Sequence, residues 1–284
     1  MNESVKQAYR KLRAGYLSVG LPRDREFAQP PEEVAASGEM SVIVAINDAP
    51  EMLRRCLHSL EVYGPKAEVV LVDDGSELEQ TQKVIDEFCR RNDWKLVRHE
   101  KSKGHSRSCE SGAAVATRPY LCLLNSDTLI TPWSWAEARR AFESDPQIGI
   151  TGPSTSWSAT EQKIERAEYC RHFWSDRQIY AFAKQQTGGV PTDSRVEIRI
   201  VGGFALFIRR DLWIKLGGFD TNLPDYGNES ELCLRVHKAG FRCVWTPRNY
   251  IHHFGHQSYS KVGKAEIDRR AREAKTYIDT LYSR

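Results

Sequence analysis

The sequence predicts an α/β fold, with a mostly parallel central sheet flanked by helices and an accessory helix at each end of the chain. Three observations predict it. Apolar runs rich in Val, Ile and Leu recur at 41–46, 68–72 and 120–124. They are short enough for strands and continuous enough to be buried on both faces. Stretches with apolar residues at helical spacing alternate with them, the pattern of strand–helix–strand units. Each run also ends on polar residues: Asn47-Asp48, Asp73-Asp74 and Asn125-Ser126-Asp127. Right-handed crossovers would bring those three ends to one edge of the sheet, where open α/β sheets bind ligands.

In chain order, Val5, Tyr9, Leu12 and Tyr16 fall at spacings of 4, 3 and 4 and predict an amphipathic helix. Residues 20–39, with Pro30-Pro31 at their middle, read as a linker or extended arm. The main domain then starts at Met40. Ser41 to Ile46 is a strand, and Pro50 suits the first turn of the following helix, whose apolar face is Met52, Cys56, Leu57 and Leu60. Glu68 to Val72 is the second strand, Leu78 to Arg91 a helix, and Trp94 to His99 a weaker strand. A loop and helix over 104–117 lead to the strand Tyr120–Leu124.

Residues 133–145 form another helix and Ile148–Gly152 a short strand. Segment 153–191 carries Trp157, Tyr169, Phe173, Trp174, Tyr180 and Phe182, which suit a sugar pocket or an aromatic core equally well. Gly202-Gly203 lie inside the apolar run 196–208, where glycine in a strand marks close approach of ligand or backbone. Helices follow at 210–216 and 229–239, then a strand over 241–245 and a histidine-rich loop over 250–257. The tail from 261 repeats apolar residues at spacings of 4, 3, 4 and 3, a second amphipathic helix with an excess of three basic residues. Docking on the domain or on a second subunit, as in a homodimer, is favoured for both terminal helices. Peripheral membrane contact is not favoured.

Composition excludes several classes. A net charge of +3 is too small to point to nucleic acid. No apolar run approaches the roughly 20 residues of a membrane span, and the first 16 residues lack the apolar core of a signal peptide. Seven cysteines form no Cys-x-x-Cys pair and read as reduced, buried thiols of a cytoplasmic protein. The first turn lacks the Gly-x-Gly-x-x-Gly of a dinucleotide fold, and there is no Walker loop and no His-Glu-x-x-His helix.

At the sheet edge, Asp127 flanked by Asn125, Ser126 and Thr128 suits a hard divalent cation, Mn²⁺ or Mg²⁺. His252 or His253 is a candidate second ligand, and imidazole favours Mn²⁺.

The ordered pieces Ser41-Val-Ile-Val-Ala-Ile-Asn47, Val72-Asp-Asp-Gly-Ser76, Leu123-Leu-Asn-Ser-Asp-Thr128, Gly217-Gly-Phe-Asp220, Glu231-Leu-Cys-Leu-Arg235 and His252-His-Phe-Gly255 span about 215 residues. Together the set resembles the family 2 glycosyltransferases, inverting enzymes of GT-A fold, and most nearly their bacterial rhamnosyltransferase-like branch. The resemblance implies a GT-A domain over 40–260 between accessory segments 1–39 and 261–284. It also implies a donor that is a nucleoside-diphosphate sugar, and an acceptor hydroxyl on a glycan, lipid or protein. Nucleotide contacts would come from Ile46, Asn47, Asp73, Asp74, Gly104, Arg107, Asn125 and Ser126. Asp74 as a reader of N3–H would favour UDP- or dTDP-sugars. Asp127, with His252 or His253, would hold the metal, and Trp157, Gly202, Gly203 and Asp225 would form the acceptor or sugar pocket. Glu229 falls at the position of the family's catalytic base. Three departures stand out: Asn125-Ser-Asp127 for Asp-x-Asp, Glu110-Ser-Gly112 for Asn-x-Gly, and Asn228-Glu229 for Glu-Asp. A sugar-nucleotide nucleotidyltransferase and a degenerate sugar-nucleotide binding module are the alternatives.

Overall fold

A computed structural model describes residues 27–255 and 263–282. The helix expected over residues 5–16 lies outside them. The elements run α1 (Pro31–Ser37), β1 (Met40–Ile46), α2 (Pro50–Tyr63), β2 (Glu68–Asp74), α3 (Glu79–Asn92), β3 (Lys95–His99), α4 (His105–Val115), β4 (Tyr120–Asn125) and β5 (Thr128–Leu129). They continue with α5 (Ala136–Ser144), β6 (Ile148–Ser154), α6 (Glu165–Cys170), α7 (Asp176–Gly189), β7 (Val196–Glu197), β8 (Ala205–Arg209), α8 (Arg210–Leu216), α9 (Asn228–Lys238), β9 (Arg242–Tyr250), β10 (His252–His253) and α10 (Lys264–Tyr282).

Eight strands form one sheet in the order β3-β2-β1-β4-β8-β6-β9-β7. β7 and β8 run against the other six. The period-two alternation of the strands divides the apolar residues between two cores. Val42, Val44, Leu71, Cys122 and Leu124 face α2, α3, α5 and α7. Ile43, Val70, Val72, Leu121 and Leu123 face α4, α8 and α9. At Gly112 of α4 an added Cβ would lie 2.4 Å from Ile43 Cγ2, so the missing side chain lets this helix sit close on the sheet. The seven cysteines are free thiols, five of them buried. Among the described residues no helix is long and apolar enough to cross a membrane.

Three segments differ from the sequence reading. Part of the expected linker is the helix α1, started by prolines and packed on α5. Buried Glu33 accepts the backbone N–H groups of Trp135 (2.7 Å) and Ala136 (2.8 Å), which the start of α5 leaves without helical partners. Gly202-Gly203 precede β8 instead of lying within a strand. The expected histidine-rich loop is partly strand: β9 runs on to Tyr250, and His252-His253 pair with Leu129 and Thr128.

The C-terminal helix α10 rests part of its stripe against its own chain, with Leu281 left exposed. Ala274 is buried, and a Cβ at Gly227 would lie 2.9 Å from Ile278 Cδ1. Tyr277 and Tyr282 donate to Asp220 (2.8 Å) and Glu231 (2.7 Å).

Burial pushes the Glu33 carboxyl up to about 7, against the opposing pull of its two N–H donors. The folded state therefore holds this proton where the unfolded chain has lost it. Stability should fall as pH rises from the ordinary glutamate range to about 7, by at most about 1.4 kcal/mol per pH unit. Urea unfolding across that window should show the slope in the native sequence and a flatter one in Glu33→Gln.

Candidate active site

The carboxyl ends of β1, β2 and β4 open onto a cavity of about 470 Å³. Asn47, Asp74, Asn125, Ser126 and Asp127 form its floor; segments 102–108, 157–160, 202–204 and 225–229, together with His253 and Arg270, close its sides.

Asp74 organises the nucleotide end expected from the sequence. Its Oδ1 accepts from His99 Nδ1 (2.6 Å) and Lys103 N (2.9 Å), its Oδ2 from Ser102 Oγ (2.7 Å) and Gly104 N (3.0 Å). A carboxylate offers about four acceptor sites, so this one is filled. Ser111 Oγ, 2.9 Å from His99 Nε2, holds the ring in turn. Burial alone would raise the Asp74 carboxyl, but these donors, His99 foremost, bring it below the usual range. Gly104 takes φ +89°, and a Cβ there would lie 2.9 Å from Pro224 Cβ. Asp73 points elsewhere: it accepts Ser76 N (3.0 Å) and is absent from the wall.

Asp127 follows β4, in the turn that leads to β5. The β5–β10 pairing brings His253 Nε2 to 3.2 Å from Asp127 Oδ1. His253 Nδ1 lies 2.9 Å from the Trp157 carbonyl, which can only accept, so this nitrogen carries the proton. Nε2 in turn faces a carboxylate oxygen, which also can only accept. Two acceptors so placed call for a proton or a cation between them. Adjacent corners of an octahedral shell with bonds of about 2.1 Å lie about 3 Å apart, close to this separation. Phe204 stacks on the ring at 5.4 Å and fixes it. Among the described residues no three His, Cys, Asp or Glu side chains gather at a metal position. Asp127 and His253 thus fit a divalent ion whose remaining ligands come from a bound molecule.

His252 does not join them. Its Nδ1 lies 2.8 Å from Tyr250 Oη and its Nε2 3.1 Å from the Arg171 carbonyl. Burial lowers its pKa to about 3, keeping it neutral.

Glu229, in the first turn of α9, lines the same cavity. Burial raises its carboxyl above the ordinary range, with its own backbone N–H as the one opposing pull. Gly203 makes room for it: a Cβ there would lie 3.3 Å from Glu229 Cδ. The neighbour Asn228 turns inward and donates to Ser106 Oγ (3.0 Å). Glu231 is buried in an ion pair with Arg235 (2.5 Å).

Ile46, Trp157, Gly202 and Asp225 also line the cavity, whereas Arg107 is exposed and outside the wall. His99, Ser102, Phe204 and Arg270 escaped the sequence reading. His99 carried a signal, since it ends β3 in register with Asp74. Arg270 carried none, because it reaches the site from α10.

A family model described as Glycosyl transferase family 2 matches residues 41–213. The human Polypeptide N-acetylgalactosaminyltransferase 18 is 26% identical over 304 residues, covering 94% of this chain and 48% of that protein. The chain spans about half the length of the curated relatives it matches. Two solved structures share the fold. One is a mannosyltransferase from Pyrobaculum calidifontis in complex with GDP-Man and Mn²⁺: TM-score 0.55, 17% identity, 94% of this chain and 72% of that one. The other is GalNAc-T7 with UDP, GalNAc and Mn²⁺: TM-score 0.61, 17% identity, 89% and 53%.

The Asp74 cluster has a thermodynamic consequence. Asp74→Asn would aim an amide N–H₂ at groups that donate, so at neutral pH it should cost roughly 1–3 kcal/mol. A depressed carboxyl contributes stability above the ordinary aspartate range and loses it as pH falls through the folded value. The difference between native and variant unfolding free energies should therefore shrink on acidification, as denaturant melts at several pH values would show.

Proposed function

This chain belongs to glycosyltransferase family 2 with a GT-A fold, and from that premise we propose that it is a metal-dependent, inverting glycosyltransferase acting on a nucleoside-diphosphate sugar. One observation carries the reading: a single cavity joins the Asp127–His253 pair to the half-buried Glu229 carboxylate. The two solved neighbours hold Mn²⁺ with GDP-Man in one case and UDP in the other. A donor so bound would place its diphosphate toward Asp127 and His253. A divalent ion there would supply charge for the leaving diphosphate.

The chain's own residues account for the rest. Glu229 accepts the proton of an acceptor hydroxyl as that oxygen bonds to the anomeric carbon from the face opposite the diphosphate. The anomeric C–O bond breaks, and its electron pair leaves with the diphosphate oxygen. A carboxyl raised above the ordinary glutamate range is a stronger base than an ordinary glutamate once ionised. Trp157, Gly202 and Gly203 shape the wall between the two centres, where the transferred sugar would lie. UDP or dTDP as the nucleotide rests on the resemblance at Asp74, and a base N3–H would have to replace one of the four donors that fill that carboxylate. Glycan, lipid and protein hydroxyls all remain within the proposed acceptor class.

Glu229→Gln should lower transfer by at least about 100-fold while leaving nucleoside-diphosphate affinity and melting temperature near native. The native rate should rise with pH through a limb above the ordinary glutamate range, because only the ionised carboxylate accepts a proton. Full activity in Glu229→Gln would assign the base elsewhere.

Calorimetry with UDP, dTDP and GDP, each with and without Mn²⁺, tests the metal. Mn²⁺ should tighten the preferred nucleotide, and Asp127→Ala or His253→Ala should remove that gain. His252→Gln should change folding stability rather than the Mn²⁺ dependence. Binding of no nucleotide by the native chain would leave only a degenerate module.

A further inference from the structure

The cavity wall carries an unbalanced charge. Asp74, Asp127, Asp225 and Glu229 contribute carboxylates, and Arg270 is the sole arginine or lysine among the described wall residues. A nucleoside-diphosphate sugar brings two more negative charges, and its leaving group gains a third when the glycosyl bond breaks. A divalent ion beside Asp127 would offset part of this, and the further cation in the wall is Arg270.

Arg270 stands on α10, well outside the region of the family match. Its Nη1 donates to Asp225 Oδ2 (3.0 Å) and its Nε to Glu266 Oε1 (2.9 Å). Those two bonds use two of the five N–H donors of a guanidinium. They also aim it: Asp225 Oδ1 lies 3.4 Å from His105 N, next to the Gly104 turn that feeds Asp74. The helix is anchored independently by Tyr277 and Tyr282, so its position does not rest on the arginine. A cavity of about 470 Å³ is roughly 8 Å on a side, within reach of one nucleotide sugar.

Building on the glycosyltransferase reading, we propose that Arg270 binds the donor diphosphate, which makes the C-terminal helix part of the active site. The planar fork pairs with phosphate oxygens in two parallel hydrogen bonds. Asp225 holds the fork ready at the wall.

The test is calorimetry on the full chain with whichever of UDP, dTDP and GDP the native protein binds in the presence of Mn²⁺. Arg270→Gln is expected to weaken that nucleotide by about tenfold or more, with an unchanged melting temperature. Arg270→Lys should recover part of the loss, because it keeps the charge without the fork. Arg269→Gln, next in sequence but bonded to Glu266 and Glu273 on the exposed face, should bind as the native chain does. Asp225→Asn keeps an oxygen for the fork but loses the charge that holds it, and should weaken binding by less than Arg270→Gln does. Native-like affinity in Arg270→Gln would overturn the proposal while leaving the glycosyltransferase reading intact. So would Asp225→Asn weakening binding as much as Arg270→Gln, which would reduce the arginine to a prop for Asp225. A native chain that binds none of the three nucleotides would overturn both.

Discussion

Carboxylates gathered at one sheet edge lose hydration and repel one another, and the candidate site depends on how each is kept there. Asp74 is saturated by four donors and stays ionised despite its burial. Asp127 lies 3.2 Å from His253 Nε2, a separation that a proton or a cation bridges. Asp225 is ion-paired to Arg270. Glu229 has almost nothing to offset its burial and accordingly holds its proton more tightly. Four residues of similar chemistry are thus kept in four different states by their neighbours alone: saturated by donors, set against an imidazole, paired with a guanidinium, and left holding a proton tightly.

The scaffold explains why those neighbours are in place. Parallel strands β1, β2 and β4 deliver their carboxyl ends together, and the reversed strand β8 lies beside β4, between it and β6. The segment before β8 then crosses the opening of the cavity. Gly202 and Gly203 stand there because side chains would meet Ser158 and Glu229. On the other flank, Ser106 ties the start of α4 to residues 223 and 228, which links the Asp74 and Glu229 sides of the cavity.

Much of this could be read from the chain before any coordinates. Buried parallel strands declare themselves as uninterrupted apolar runs, and the three polar strand ends followed from topology. What escaped was of two kinds. Helix α1 hides in a proline-rich, polar segment because its stability comes from tertiary capping by Glu33, not from an amphipathic pattern. Arg270 hides because its distance in sequence from Asp225 says nothing of its contact with it.

The adjacent pairs show where sequence reading stops for a definite physical reason. Asp73-Asp74 and His252-His253 each sit in a strand, and consecutive strand residues point to opposite faces. At most one member of each pair could therefore enter the cavity, and composition cannot say which. Register decides it. Asp74 is opposite His99 and beside the 102–104 loop, while Asp73 turns back to its own turn. His253 pairs with Thr128, next to Asp127, while His252 turns into the aromatic layer of Tyr250, Trp174 and Phe254. The same exclusion operates on a helix at Asn228-Glu229, where neighbours differ by about 100°. Asn228 faces Ser106, and Glu229 faces the cavity. The buried partner has work of its own in each case: Asp73 closes a turn, His252 seats the strand that carries His253, and Asn228 fixes the helix that carries Glu229. A functional side chain in this fold is held by the residue next to it in sequence, pointing the other way.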